Sequence, residues 1–368
     1  MTIIQDSGLT TRNGRGGYVR EATPLDLLRI VATRRRQRIL RLNPPYSLIQ
    51  PQSLVSELLR TQVPFKFRAG CVLVYVDKGY VQGFVQARPR WGRDEEWAVT
   101  TLATLDRAPY YVSEALLEAV SQAAGESGVL RLFVKVPSDE SDLPQFRRLG
   151  FTHYTNEHIW GHLYFAQRGQ GTSADEPAMG QVRKQSNSDA WDLLQLYSAV
   201  TPPAVQRAET LSSRNFRRSY FPRPMLPSSG LVERAYVWPD ASGQKQSLGG
   251  YMRMVTGARA HWLTTMFRPD AANRDICPQA FDYVLWKAAR SGHKPVYCGV
   301  RDYQTEVGGI LEARGFHHFS EQALLVKYLA EPIKVKQPVL APFLARNTTE
   351  LVTTAKASTE FRVKPPQG

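Results

Sequence analysis

FRRLGF, residues 146–151, and EARGF, residues 312–316, decide how the rest of the chain is read. Each ends a helix-like stretch with a basic side chain, then a glycine, then Phe151 or Phe316. Arg147 and Arg148 suit a last turn, where the helix dipole leaves partial negative charge. Gly150 and Gly315 suit the left-handed residue that closes a helix, because glycine has no Cβ to clash there. One such ending is ordinary capping. Two of them lie about 165 residues apart, and Trp97 and Trp262, each in a strand-like run with a Thr-Thr pair, are separated by the same interval. A shared interval marks a repeated order of elements.

Working outward, GYVREATPLDLLRIV near the start matches GQVRKQSNSDAWDLLQLYSAV from residue 180. Each reads as a short strand, a polar capping stretch ending in Asp, and a helix with apolar 3.6 spacing. VLVYVDKGYVQGFVQARPR and LVERAYVWPDASGQKQSLGGYMRMV then read as hairpins. WAVTTLATLDR and HWLTTMFRPD are strands, followed by the helices VSEALLEAVSQAAGESG and ICPQAFDYVLWKAARSG. VLRLFVKV and KPVYCGV are short buried strands, and after each GF pair come final strands through HIWGHLYFA or ALLVKYLA. The order predicts an α/β fold with a mixed sheet. It divides the chain into an arm over 1–16, a first domain over 17–166, a linker over 167–179, a second domain over 180–330 and a tail over 331–368.

The 368 residues exceed the usual size of one core, and 42% hydrophobic content is that of a folded protein. Cys71, Cys277 and Cys298 show no metal-binding spacing and read as reduced thiols, which with the opening MTIIQDSGLTT predicts a cytoplasmic protein. No apolar run reaches the roughly 20 residues of a membrane span. A formal net charge of +14 favours anionic partners, and nucleic acid is a weaker expectation among them. RRRQRILR at 34–41 reads as a solvated helix end, and FRRSYFPRP at 216–224 as a basic loop. The DEE run at 94–96 reads as a solvated turn. His317 and His318 alternate faces of a strand, which makes a shared metal improbable.

The doubled order of elements, with a helix closing on an (L/R)GF motif after each buried strand, resembles the GNAT superfamily of acetyl-CoA-dependent N-acetyltransferases. The resemblance covers residues 17–165 and 180–330. It implies two tandem GNAT-like domains, each a mixed sheet of six or seven strands flanked by about four helices. In that family acyl-CoA enters where the fourth and fifth strands splay apart. Backbone groups of the fourth strand pair with the pantetheine arm, and the next helix N-terminus holds the pyrophosphate. Carried over, this places the cofactor against Leu102, Ala103 and Thr104 with Tyr111, Val112 and Ser113, or against Met266 with Cys277. Arg107, Arg268 and Arg274 stand ready to fork a phosphate.

The sequence departs from the family's (Q/R)xxGx(G/A) loop. APYYVS, 108–113, has Ala108 at the first position and Tyr111 at the first glycine; ANRDIC, 272–277, has Asp275 there. The tyrosine that usually protonates the leaving thiolate sits four residues before the motif glycine, where this chain has Phe146 and Leu311. Glu96 and His261, at the starts of the fourth strands, are the candidates for activating an amine. The resemblance therefore implies an acetyl-CoA-dependent transfer to an amine by direct attack, with the first domain favoured. The alternatives are a GNAT-fold scaffold with an anionic partner, or one working domain packed against a degenerate one.

Overall fold

The computed structural model describes residues 11–12, 16–33, 37–41, 48–49, 70–90, 93–138, 143–163, 182–217, 231–243, 247–292 and 294–329. The linker expected over 167–179, the tail over 331–368 and most of FRRSYFPRP lie outside these residues.

Both halves begin with the same construction. In the first, β1 (Thr11–Arg12) pairs with β2 (Tyr18–Glu21), which leads into helix α1 (Pro24–Thr33). The Arg20 guanidinium donates to both oxygens of Asp26, at 2.5 and 3.0 Å, while the Thr23 amide and hydroxyl donate to Asp26 Oδ2. In the second, β9 (Arg183–Lys184) precedes α4 (Ala190–Val200). There Arg183 forks Asp189 at 2.7 Å on each oxygen, and Ser186 supplies the amide and hydroxyl. A buried aspartate thus ties the entering strand to the helix start in each half.

The remaining elements of the first half are β3 (Gln37–Arg41), β4 (Cys71–Asp77), β5 (Tyr80–Arg90), β6 (Arg93–Leu105), α2 (Tyr111–Glu126), β7 (Arg131–Pro137), α3 (Leu143–Arg148) and β8 (Thr152–His162). Those of the second are α5 (Pro203–Glu209), β10 (Val232–Pro239), β11 (Leu248–Thr256), β12 (His261–Phe267), α6 (Ile276–Ala289), β13 (Val296–Arg301), α7 (Thr305–Glu312) and β14 (His317–Tyr328). α2 buries Val112, Leu116, Ala119, Val120 and Ala123, a 3–4 spacing that lays one stripe on the sheet against Leu73, Val85, Val99 and Val134. α6 repeats this with Ala280, Phe281, Val284 and Ala288 over Met252, Met254, Leu263 and Cys298.

The fourteen strands among the described residues form one mixed sheet in the order β1-β2-β4-β5-β6-β7-β14-β8-β13-β12-β11-β10-β9, with β3 beside β6. The centre of that order is an exchange. β7 pairs antiparallel with β14, and β13 pairs antiparallel with β8, while β8 and β14 pair with each other. Each half's last strand therefore lies beside the other half's buried fifth strand.

Three local expectations are corrected. Part of the N-terminal arm, Thr11–Arg12, is a strand on the sheet edge. Asp94 to Glu96 belong to β6 rather than to a turn, and Glu96 is buried. QRILR, 37–41, is strand β3 rather than a helix end, because α1 stops at Thr33.

Candidate cofactor slots where the parallel strands part

The helix endings that opened the sequence reading take the geometry the sequence predicts. Gly150 and Gly315 have φ of +84° and +80°. The Phe151 amide donates to the Phe146 carbonyl and the Phe316 amide to the Leu311 carbonyl, the six-to-one bond that closes a helix on a left-handed residue. Phe146 packs edge-on against Phe151, ring centroids 5.6 Å apart, and both Phe146 and Leu311 are fully buried. The positions where the family carries its acid tyrosine are filled by core side chains.

β6 and β7 run parallel and in register only at Glu96–Arg131, Trp97–Leu132 and Ala98–Phe133. β12 and β13 do so only from His261–Val296 to Thr264–Gly299. Beyond those pairs the strands part, at the ends that face the following helices α2 and α6. Parting leaves one edge of the fourth strand with backbone N–H and C=O groups that need partners. In the first half that partner is β3: Gln37 to Arg41 pair antiparallel with Leu105 to Thr101. Thr101 to Thr104 are simultaneously paired with Gln86 to Gly83 of β5, so Leu102, Ala103 and Thr104 have strands on both edges. In the second half, no strand among the described residues pairs with β12 beyond Thr264 on the β13 side. The Gln304 amide reaches across and donates to the Thr265 carbonyl at 2.9 Å, itself held by the Arg301 amide.

At the start of α2, Tyr111 is half-buried with its ring 6.2 Å from Tyr75, and Val112 is core. The Ser113 hydroxyl donates to the Tyr110 carbonyl and accepts from the buried Gln145 amide. Arg148 donates to the Tyr110 hydroxyl, and Arg107 is exposed nearby in sequence. At the start of α6, Arg268 donates to the Leu248 carbonyl and lies 3.7 Å from Asp240, whereas Arg274 is exposed. Asp240 sits at about 2: burial alone would raise it, and bonds from Ser242, Asn273 and Ser247 outweigh that. Met266 and Cys277 are buried beneath. A thiol at a helix N-terminus invites a lowered pKa, but burial pushes Cys277 up to about 12, so it packs rather than reacts.

Glu96 and His261 both lie inside the protein. Glu96 meets Arg131 at 3.1 Å and Arg90 at 3.4 Å, and is 4% exposed. His261 is wholly buried. Its Nε2 is 3.2 Å from the Gly292 carbonyl, which can only accept, so Nε2 carries the hydrogen and Nδ1 accepts from the Thr256 hydroxyl at 2.9 Å. Burial lowers its pKa and keeps the ring neutral.

Sequence reasoning missed the polar cluster at the end of β13, where the halves meet. Glu157 of β8 accepts from Lys135 at 2.6 Å and from Gln322, and pairs with the Arg301 guanidinium at 3.3 Å. Arg301 also reaches Glu209 of α5 at 3.3 Å, and Glu209 accepts from the hydroxyls of Tyr197 and Tyr154. Burial opposes ionisation of Glu157, but Lys135 and Arg301 hold it at about 2. Burial likewise lowers the Lys135 pKa, against the pull of Glu157. The cluster draws on six elements and both halves. Only the inward parity of Glu157 in its strand, two residues from Thr155 and Ile159, hints at the cluster in the sequence.

No family model and no curated protein matches the sequence. Solved structures do match the fold. A GCN5-related N-acetyltransferase from Sphaerobacter thermophilus aligns over 87% of this chain and 97% of its own, at 14% identity and a TM-score of 0.50. A tandem GNAT protein from the clavulanic acid biosynthesis pathway aligns over 83% and 94%, at 15% identity and a TM-score of 0.46. Saccharomyces cerevisiae N-myristoyltransferase aligns over 88% and 82%, at 9% identity and a TM-score of 0.49. The fold assignment rests on the first: this chain has the fold of the GCN5-related N-acetyltransferases. Among the described residues no helix is long and apolar enough to cross a membrane.

Proposed function

We propose that the chain is an acyl-CoA-dependent N-acyltransferase that holds its acyl-CoA in the second half. The observation that carries this is the parting of β12 from β13 after Thr264 and Gly299, with the N-terminus of α6 following. The edge of β12 there has the place and direction of the family's pantetheine-binding edge. The equivalent edge of β6 is already paired with β3. In this reading Met266 contributes to the line that meets the pantetheine arm. Cys277 keeps the start of α6 compact, and exposed Arg274 meets the phosphates. Tyr111, Val112 and Ser113 form the corresponding but closed site of the first half, which we assign a packing role, with Arg107 exposed beside it.

In the reaction the amine nitrogen attacks the thioester carbonyl carbon. The carbon–sulfur bond breaks, coenzyme A leaves as the thiolate, and the proton shed by the amine ends on sulfur. We assign structural roles to Glu96, neutralised by two arginines, and to His261, whose nitrogens are both used. The acceptor is proposed to enter beside α5, where Glu209 is the buried carboxylate at the open end of β13. That carboxylate is already compensated by Arg301 and bonded by Tyr197 and Tyr154, so the amine enters in its neutral form, with the lone pair the attack needs. The acyl group follows from no residue above, so the test uses two chain lengths.

Calorimetric titration with acetyl-CoA and with a long-chain acyl-CoA tests the reading. Binding of either with a Kd below about 1 mM, a free energy of about 4 kcal/mol, is expected. No heat from either at that concentration contradicts it. The Arg274→Ala variant is expected to bind several-fold more weakly, with Arg107→Ala unchanged.

A further inference from the structure

We propose that β3 is an intrachain occupant of the first half's cofactor slot, its backbone standing where a pantetheine arm would pair, so that the folded chain carries one acyl-CoA and gains a second site when β3 is released. The proposal rests on the acyl-CoA reading for the second site only. The pairing is specific: five consecutive residues, Gln37 to Arg41, match Leu105 to Thr101 in an unbroken antiparallel register. They begin three residues past the last pair that joins β6 to β7, where the slot opens. A strand edge cannot serve two partners, because each N–H and C=O offers its bond in one direction.

The segment is anchored at its far end. Ile49 is buried against Trp262, Tyr297 and Ile159 of the central strands, and its carbonyl accepts the Arg259 amide at 3.1 Å. The chain that fills the first slot is thus fastened to the β11–β12 turn of the second half within eight residues of Arg41. A tethered strand competes with a free ligand as an intramolecular partner, at an effective concentration that a short linker places in the millimolar range. Around the mouth of the slot the charge still suits an anion: Arg107, Arg147 and Arg148 are exposed near the start of α2.

Proline tests this, because it removes one ladder donor. Adjacent strand residues point their N–H groups to opposite edges, so of Ile39→Pro and Leu40→Pro one removes a bond to β6 and the other spares it. Hydrogen exchange at those amides among Thr101 to Leu105 that face β3, with the alternate ones still held by β5, identifies the variant in which β3 has been released. Equilibrium dialysis with radiolabelled acetyl-CoA then counts sites in the wild type and both variants. The expected result is one additional site in the released variant and none in the other. An unchanged count despite fast exchange at the β3-facing amides overturns the proposal, as does a wild-type chain that already fills both slots. A wild-type count of zero that rises to one sinks the second-half reading and supports this one.

Discussion

Glu157 shows how much one side chain carries. It is nearly buried, and it compensates Lys135 and Arg301 at once. Gly299 of the adjacent strand makes room for it, since a Cβ there would stand 3.1 Å from the carboxylate and closer still to Trp262. Because the folded pKa, about 2, lies below the ordinary carboxylate value of 4.5, the group's contribution is complete above pH 4.5. It is lost as the pH falls from there toward 2, and it is on the order of 3 kcal/mol. Glu157→Gln leaves Lys135 without its carboxylate and Arg301 with Glu209 alone, and is expected to cost about 3–5 kcal/mol at neutral pH. Thermal unfolding between pH 7 and pH 2 checks both statements: the wild type should lose stability over the acid window, and the variant should lose less there. Equal acid sensitivity would show that Glu157 is not the titrating group.

At the scale of elements, the two helix endings give a graded comparison. Alanine at Gly150 meets only the strain of its positive φ, because the nearest atom to its Cβ is Lys327 Cε at 3.8 Å, and about 1 kcal/mol is expected. Alanine at Gly315 adds a contact with His162 Nε2 at 3.3 Å and should cost more. Equal losses in chemical denaturation would remove the role of His162. These endings were legible from FRRLGF and EARGF because a cap is local: basic residue, glycine and aromatic all act within one turn. The helices α2 and α6 were legible for the same reason, through their apolar spacing. β3 was not. QRILR has neither a turn signal nor a clear period, and what makes it a strand is the vacant edge of β6, more than sixty residues away. Glu96 was assigned from position alone, and its neutralisation by Arg131 depends on a parallel pairing that no spacing announces.

Across the whole molecule, the repeat showed which elements recur but not which strands pair. The exchange of β8 and β14 joins the halves through hydrogen bonds, so residues 17–166 alone lack the native partner for the β7 edge away from β6, and residues 180–330 alone lack it for the β13 edge away from β12. Each fragment expressed separately is expected to aggregate through that open edge, and coexpression to restore a soluble heterodimer. A monomeric first fragment with native exchange protection along β7 would contradict the exchange. The sheet also sets the two slots apart in kind. One is lined on both edges by the chain's own strands, and the other is open on the β13 side among the described residues. A crystal structure grown with coenzyme A tests that difference most directly. The account predicts pantetheine density along β12 beyond Thr264, with β3 still paired to β6. Density along Thr101 to Leu105 with β3 displaced, and none beside β12, would contradict it.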